Sequence, residues 1–314
     1  MTVTSTAALA AQVDGWSPGP IERIDQLDLG AAQSLHDLLD GGSAPYRGGP
    51  VDPLHHWVYF RSWPRRNSLG PDGHPLSGGF MPPLRDRRRM FAGGRCTFYA
   101  PLHFGQPASA TSSLGHCEIK HGRSGELLLV TVRTTIMQDH RLCIADEQDL
   151  VYRSGPNQPM PVSTAARRSD SPEPTSNVDV RCRKRTTFDA VTLFRFSALT
   201  ANSHRIHYDL PYARDVEGYS RLLVQGPLVV LSMAEMLRRA NPGELATLTY
   251  RLHRPIFSGE SVDIFVSESR GATEPHTTST DGMHIVAGAT ILDSTGGLRA
   301  SAKALFHHEM SSRP

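Results

Sequence analysis

Cysteine is scarce and widely spaced in this chain of 314 residues. The four cysteines are Cys96, Cys117, Cys143 and Cys182, and no two of them form a Cys-x-x-Cys pair. This spacing argues against a disulfide framework and against a structural zinc site, because both use characteristic cysteine groupings. We therefore expect a cytoplasmic protein.

The chain also lacks an excess of charge of either sign and any long apolar run. Lysine and arginine total 33 against 31 for aspartate and glutamate, which gives a formal net charge of +2. So small a charge predicts no general attraction to nucleic acid or to an anionic membrane. No window approaches the roughly 20 apolar residues that a membrane-spanning helix needs. Residues 1–16 have no basic flank and no sustained apolar core, so no secretion signal is predicted.

Length and composition favour two domains. With 39% apolar residues, the 314-residue chain can form a hydrophobic core in each of two ordinary domains. The segment 154–179 is rich in proline, serine and threonine and has almost no large apolar side chain, so it cannot bury a core. We interpret it as a linker between an N-terminal domain of residues 1–153 and a C-terminal domain of residues 180–314.

Hydrophobic periodicity predicts one helix in each domain. In residues 21–40 apolar side chains recur at helical spacing, and Gly41 and Gly42 supply a stop, which indicates a surface helix. In the C-terminal domain an apolar run from about Pro227 to Ala240 predicts a single long helix.

Runs of β-prone residues accompany these helices. In the N-terminal domain they are CTFYAPLHF, LLLVTVRTTIM and LCIADEQDLVYR, with a hairpin turn at GRSGE. In the C-terminal domain they are FDAVTLFRFSAL, LATLTYRLHRPIF, SVDIFVSES, HIVAGATIL and LRASAKALFHH. Strands grouped around one helix predict an α+β layer architecture.

The stretch FSALTANSHRIHYDLPYA, residues 196–213, holds Asn202, His204 and His207 close together. An imidazole with an ordinary pKa near 6.5 can accept and return a proton at neutral pH, so both histidines are candidates for acid–base catalysis. Two alternatives apply to any His-x-x-His: structural histidines that close a loop, and a metal site. No third Cys, Asp or Glu ligand lies at a characteristic interval, so no metal is predicted. Asp209 is assigned to helix capping.

The segment VQGPLVVLSMAEMLRRA follows and begins the predicted long helix. Gly226 has no Cβ, so the backbone there can approach a ligand, and the helix dipole favours negative charge at that end. Its N–H is the candidate donor to an oxyanion, and Gln225 is placed in the same pocket. Tight packing of the helix on the sheet would also account for the glycine.

The sequence NSHRIHYD and the following EGYSRLLVQGPL resemble the MaoC-like acyl dehydratases and hydratases of hot-dog fold. They are most similar to the branch of mesaconyl-CoA and itaconyl-CoA hydratases and type 2 hydroxyacyl-thioester dehydratases. The segments HHWVYF, LGPDGHPLSGGFMPP and RRMFAGGRCTFYAPLHFGQ also resemble that branch. The resemblance implies a double hot-dog fold, in which two antiparallel sheets each wrap around a central helix within one chain.

The resemblance further implies a hydro-lyase that adds or removes water across the α,β double bond of a CoA or carrier-protein thioester, with no redox cofactor. His207 would take the α-proton, assisted by His204, and Gly226 N–H would hold the thioester oxygen. Asn202 stands where most of the family has aspartate, and it would orient the β-hydroxyl. The N-terminal domain would lack its own motif and would shape the acyl pocket.

Arginines are the candidates for binding the charged groups of such a substrate. Arg88 and Arg89 belong to a cluster with Arg85 and Arg87 that suits the phosphates of CoA, although a solvated loop explains it equally well. Arg205 is the candidate for the distal carboxylate of a mesaconyl group. A hot-dog thioesterase and a non-catalytic acyl-thioester-binding subunit remain alternatives, and a homodimer stays open.

Overall fold

Strands outnumber helices in the computed structural model, which describes residues 9–84, 88–122, 125–153, 179–241, 243–269 and 284–307. The helices are α1 (Leu9–Val13), α2 (Leu29–Leu38), α3 (Ala190–Leu199), α4 (Leu210–Asp215) and α5 (Gly226–Ala240). The strands are β1 (Ile21–Asp25), β2 (Arg88–Phe98), β3 (Ala108–Gly122), β4 (Gly125–Gln138), β5 (Arg141–Arg153), β6 (Asp179–Thr187), β7 (Glu244–Leu252), β8 (Ser261–Ser269), β9 (His284–Asp293) and β10 (Leu298–His307). Within these ranges no helix is long and apolar enough to cross a membrane.

The strands of the described residues form one antiparallel sheet in the order β1-β3-β4-β5-β2-β7-β10-β9-β8-β6. The first five strands in this order come from the N-terminal half of the chain and the last five from the C-terminal half. The two halves join where residues 93–97 of β2 pair with residues 247–251 of β7. Backbone hydrogen bonds therefore cross from one half of the chain to the other.

Helix α5 packs against β7, β8, β9 and β10 and forms the centre of the C-terminal half. Leu228, Leu231 and Leu237 recur at helical spacing and are at most 1% exposed. Burying each such leucine contributes roughly 1.5–3 kcal/mol. The half-buried Glu235 pairs with Arg238 at 3.0 Å and with Arg239 at 2.6 Å. The predicted long helix is confirmed, and its N-terminal end lies at a cavity.

The helix predicted over residues 21–40 is wrong in its first part. Residues 21–25 form strand β1, which pairs with β3, and α2 begins only at Leu29. Asp28 caps it, because its Oδ1 accepts a hydrogen bond from Ala31 N at 3.0 Å. Helix α2 is a surface helix as predicted: Asp37 is exposed, and Ala32 and Leu35 on the opposite face are buried in the main core. The alternating sequence IERID fits an edge strand as well as a helical turn, which explains the error.

The run FDAVTLFRFSAL was predicted as a strand and is instead helix α3. Asp189 caps it by accepting hydrogen bonds from the backbone N–H and the hydroxyl of Thr192. Leu193 and Phe196 lie three residues apart on one buried face, while Phe194 is 64% exposed. The periodicity of a short apolar run does not distinguish a strand from a helix. Here Asp189 favours the helix, because it caps the N-terminal end.

Strand β3 was missed by the strand predictions, although the hairpin that closes it was predicted. It pairs antiparallel with β4 over nearly its whole length, ending with Gly122 opposite Gly125. Residues 123 and 124 at the tip of GRSGE lie outside the described residues, as do residues 154–178 of the predicted linker. The domain boundaries therefore stay a prediction.

Candidate active site

A cavity of about 740 Å³ lies at the N-terminal end of α5, where the two halves of the sheet meet. Both halves of the chain line it. The N-terminal half contributes Trp57, His74 and Phe91, and the C-terminal half contributes Asn202, His207 and Gly226. The histidine motif and the glycine-led helix, which are separate in the sequence, thus share one cavity.

His207 is held in one tautomer by a backbone carbonyl. It ends the short 3-10 turn Arg205–His207, and its Nδ1 lies 2.8 Å from Leu223 O. A carbonyl oxygen can only accept, so Nδ1 carries the proton and the neutral ring keeps its lone pair on Nε2. Burial lowers the pKa of His207 to about 4, which keeps the ring neutral at neutral pH. The ring can therefore act as a base through Nε2.

Asn202 and His204 complete the C-terminal part of the site. Asn202 Oδ1 accepts a hydrogen bond from the backbone N–H of His204 at 3.1 Å, so its amide NH₂ is the group left for a ligand. The rings of His204 and His207 are 5.5 Å apart and nearly perpendicular. Burial is the main cause that lowers the pKa of His204, and the nearby His74 and His207 add to it. Both histidines of the motif are therefore neutral at pH 7.

The sequence analysis missed His74, which comes from the N-terminal half of the chain. Its ring lies 4.2 Å from the ring of His204, and its Nδ1 lies 3.1 Å from Asp72 Oδ2. Gly73, between Asp72 and His74 in the sequence, has a φ of +89°, and a Cβ there would lie 1.9 Å from Ser203 O. Only glycine allows so close an approach. The signal was present in LGPDGHPLSGGFMPP, but no local pattern indicates a contact 130 residues away.

Gly226 begins α5 directly against the N-terminal half of the sheet. A Cβ at this position would lie 2.7 Å from Cδ1 of Leu252 and 2.7 Å from Cδ1 of Phe91. A side chain at this position would have to displace Leu252 or Phe91. Gly226 lines the cavity as the first residue of α5, where the N–H groups have no partner within the helix and the helix dipole is positive. Gln225 is buried beside it and donates to Leu193 O and Ser197 Oγ, both at 2.9 Å. Gln225 thereby ties the start of α5 to α3.

The family model for hydroxyacyl-thioester dehydratase type 2 matches residues 54–258, which include His74 as well as His207. This chain belongs to that family. A mesaconyl-C(4)-CoA hydratase of Chloroflexus aurantiacus is 40% identical over 269 residues, covering 81% of this chain and 93% of the relative. A mitochondrial type 2 hydroxyacyl-thioester dehydratase of Schizosaccharomyces pombe is 26% identical, covering 70% and 78%.

The structural comparison identifies the fold. A Mycobacterium tuberculosis protein with a double hot-dog fold superposes with a TM-score of 0.58 at 15% identity, covering 94% of this chain and 98% of that chain. This superposition and the continuous antiparallel sheet together show that the chain is an α+β protein of double hot-dog fold. The predicted fold class is confirmed.

The predicted arginines do not all reach the cavity. Arg205 donates to Asp209 Oδ2 from Nε at 2.9 Å and from Nη2 at 2.7 Å, and it stacks 4.1 Å from the ring centroid of Tyr212. It is not among the residues that line the cavity, so the predicted contact with a distal carboxylate is not supported. Asp209 also caps α4 through Tyr212 N, as predicted.

Arg88 and Arg89 point to different partners. The Nε of Arg88 lies 3.3 Å from Glu217 Oε2, and its Nη2 donates to Glu217 O. Arg89 instead lines the cavity. Arg85 and Arg87, the other members of the predicted phosphate-binding cluster, lie outside the described residues.

Within the part of the chain that the structure describes, two groups of buried or half-buried side chains have the composition of a metal site. Asp72, His74 and His204 have ligand atoms within 4.8 Å of one another, as have His56, Cys96 and Asp146. The sequence analysis found no third ligand near the histidine motif, and the structure supplies Asp72 from a distant loop. Asp72 already bonds the ring and the backbone N–H of His74. These contacts account for its position as the orienting partner of a histidine.

Proposed function

We propose that this protein is a hydro-lyase that adds or removes water across the α,β double bond of an acyl thioester. One observation carries the proposal: a neutral histidine whose Nδ1–H is fixed by Leu223 O shares a cavity with Gly226, the first residue of α5. A base and an oxyanion donor are the two groups that this chemistry needs. Membership of a dehydratase family supports the same reaction.

In the dehydration direction, Nε2 of His207 takes the proton from the α-carbon while the thioester oxygen, accepting from Gly226 N–H, becomes enolate-like. The electron pair then forms the α,β double bond and the C–O bond at the β-carbon breaks. The leaving hydroxide takes the proton from the imidazolium and departs as water, so one histidine serves in both steps. A base with a pKa of about 4 is weak, but its conjugate acid returns the proton readily.

Asn202 and the His74–His204 pair position the β-hydroxyl in this scheme. The amide NH₂ of Asn202 donates to the hydroxyl oxygen, a role that needs no titration. His74, held by Asp72, packs on His204 and keeps that ring against His207. This arrangement replaces the carboxylate that most MaoC-like sites have at position 202, and His207 carries the proton alone.

The substrate class is an enoyl or 3-hydroxyacyl thioester, and the C. aurantiacus relative supports a mesaconyl-type group with a second carboxylate. The wall from the N-terminal half shapes the acyl pocket. There the buried Asp146 accepts from Trp57 Nε1 at 2.8 Å and from Gln148 Nε2 at 3.0 Å, and both donors line the cavity. A cytoplasmic location and a homodimer stay predictions of the sequence.

Mass spectrometry on a panel of enoyl-CoA thioesters, including mesaconyl-C4-CoA and crotonyl-CoA, tests the reaction. A hydro-lyase is expected to produce a species heavier by one water from at least one of them. Release of a free thiol would instead identify a thioesterase. Binding without any mass change would identify a non-catalytic subunit, and either result would overturn the proposal.

The substitution Asn202→Asp is expected to move the acid limb of the pH profile to higher pH. In the wild type, kcat/KM for hydration should fall only as the pH approaches about 4, where His207 becomes protonated. A carboxylate beside the ring stabilises the imidazolium and raises the pKa of His207, so the active neutral form is lost at a higher pH. Steady-state rates measured from about pH 4 to about pH 8 give the limb.

Asn202→Ala is the matched control, because it removes the amide without adding charge and should leave the position of the limb unchanged. Folding must be checked by circular dichroism at each pH. Burial also lowers the pKa of His55 to about 4, and unfolded histidines bind protons below about 6.5, so stability falls as the pH drops between these values. An unshifted limb in Asn202→Asp would mean that residue 202 does not face His207.

A further inference from the structure

Three arginines that line the cavity, Arg23, Arg89 and Arg254, have no hydrogen-bond or ion-pair partner for their side chains among the described residues. Arg89 is half-buried and lines both the main cavity and a small adjoining pocket with Asp72, His204 and Glu217. Its guanidinium forms no hydrogen bond or ion pair with the described residues. Arg88 and Arg205, by contrast, are paired with Glu217 and Asp209. A partly desolvated cation without a partner is costly, and a bound anion would compensate it.

The strand places Arg89 near the proposed chemistry. Side chains two residues apart on a strand share a face, so Arg89 lies on the same face of β2 as Phe91. Phe91 lies directly against the start of α5, because its Cδ1 is 2.7 Å from where a Cβ of Gly226 would be. Arg89 is also close enough to His204 for its positive charge to add to the lowering of that histidine's pKa.

The position of Arg89 distinguishes between two anions that it could bind, a phosphate of CoA and an anionic group on the acyl chain. A long pantetheine arm separates the thioester of an acyl-CoA from its phosphates, so the phosphates cannot lie beside the histidines that face the acyl carbons. The outer wall of the cavity has an exposed arginine, Arg254, which suits them better. In the proposed reaction the thioester oxygen lies at Gly226 N–H and the α-carbon at His207. His204, whose ring is 5.5 Å from that of His207, lines the small pocket together with Arg89, on the side left for the β-carbon.

We infer that Arg89 binds a carboxylate carried by the β-carbon of a dicarboxylyl thioester and so selects this substrate over monocarboxylyl thioesters. The inference rests on the proposed function and names a specificity residue within that site. It replaces both earlier expectations, that Arg205 binds the distal carboxylate and that Arg89 binds a phosphate. A planar guanidinium offers two parallel N–H donors to a carboxylate, which a lysine cannot reproduce.

The test compares two thioesters that differ at this one group. In mesaconyl-C4-CoA the β-carbon carries a methyl and a carboxylate, and in 3-methylcrotonyl-CoA a second methyl replaces the carboxylate. Arg89→Gln is expected to lower the ratio of kcat/KM for the first over the second by about 10²-fold, the loss typical of a charge-assisted contact of about 3 kcal/mol. Arg89→Lys should recover part of the ratio. Arg141→Gln, which removes the same charge at an exposed site on β5, should not change it.

A binding measurement keeps the test independent of turnover. Titration calorimetry of both thioesters against His207→Ala, with and without Arg89→Gln, should show weaker binding of the dicarboxylyl thioester alone. Equal weakening of both would overturn the inference and assign Arg89 to the CoA moiety. In that case Arg89→Gln should not weaken the binding of mesaconyl-pantetheine, which lacks the nucleotide phosphates. No change for either thioester would also overturn it. If the wild type hydrates no thioester at all, the proposed function fails, while the calorimetry still decides the role of Arg89.

Discussion

Replacing His207 by alanine is expected to lower the turnover of an enoyl thioester by about 10²–10⁴-fold, the usual contribution of a positioned acid–base group. A methyl group cannot move a proton, and of the other histidines that line the cavity, His74 bonds Asp72 and His253 bonds Ser301. His204 is the nearest imidazole, but its strongly lowered pKa makes it a poorer proton acceptor than His207. KM should change less than kcat, because the loss falls on the transition state.

Alanine also leaves Leu223 O without its donor, so a second variant must separate chemistry from structure. In His207→Asn the side-chain amide can still donate to Leu223 O, yet it cannot take up a proton at neutral pH. Both variants should therefore lose turnover alike, while asparagine keeps the thermal stability closer to wild type. Circular dichroism and steady-state rates are the measurements. Near-wild-type turnover in either variant would show that another group takes the α-proton.

Local sequence patterns predicted the parts of the site that are built locally. Asn202, His204 and His207 lie on one turn, and Gly226 begins a helix with periodic leucines, so spacing predicted their places in the chain, while the resemblance to the family gave them their roles. The last four strands were also predicted, because each is a short run of β-prone residues bounded by turn residues. The branch resemblance added the reaction, which no spacing of residues could have supplied.

The errors arose where tertiary contacts override a local pattern. The run that became α3 is apolar on every side in the sequence, and only the packing of Leu193 and Phe196 shows which face is inside. His74 reaches His204 because Gly73 lets two distant loops touch. Arg205 was one candidate for the distal carboxylate, and the sequence left the direction of its side chain open; in the structure an aspartate four residues on and the ring of Tyr212 hold it. Sequence gives the residue type and not the direction of the side chain.

The site depends on the N-terminal half in three physical ways. Phe91 closes the start of α5, His74 supports His204, and the pairing of β2 with β7 fixes the strand from which Leu252 reaches the cavity. None of these contacts is a catalytic group in its own right. They pack directly against the groups of the C-terminal half that line the cavity.

A fragment of residues 179–314 is therefore expected to lose essentially all hydratase turnover although it keeps Asn202, His207 and Gly226. Without β2, strand β7 has an unpaired edge, and the apolar face under Phe91 and Trp57 is exposed to water. The fragment should dimerise or aggregate. Size-exclusion chromatography combined with the mass-spectrometric assay measures both effects.

The matched control makes the same cut without removing the N-terminal half. A protease site inserted within residues 154–178 of the full chain, cleaved after folding, leaves both halves joined through β2 and β7. The cleaved protein should elute as one species and keep most of its activity, because no described contact of the site crosses that segment. Activity lost on cleavage alone would mean that the covalent connection itself is needed.

A monomeric fragment of residues 179–314 with full turnover would show that the N-terminal half takes no part in the site. The assignments of His74, Phe91 and Arg89 to the site would then all be wrong.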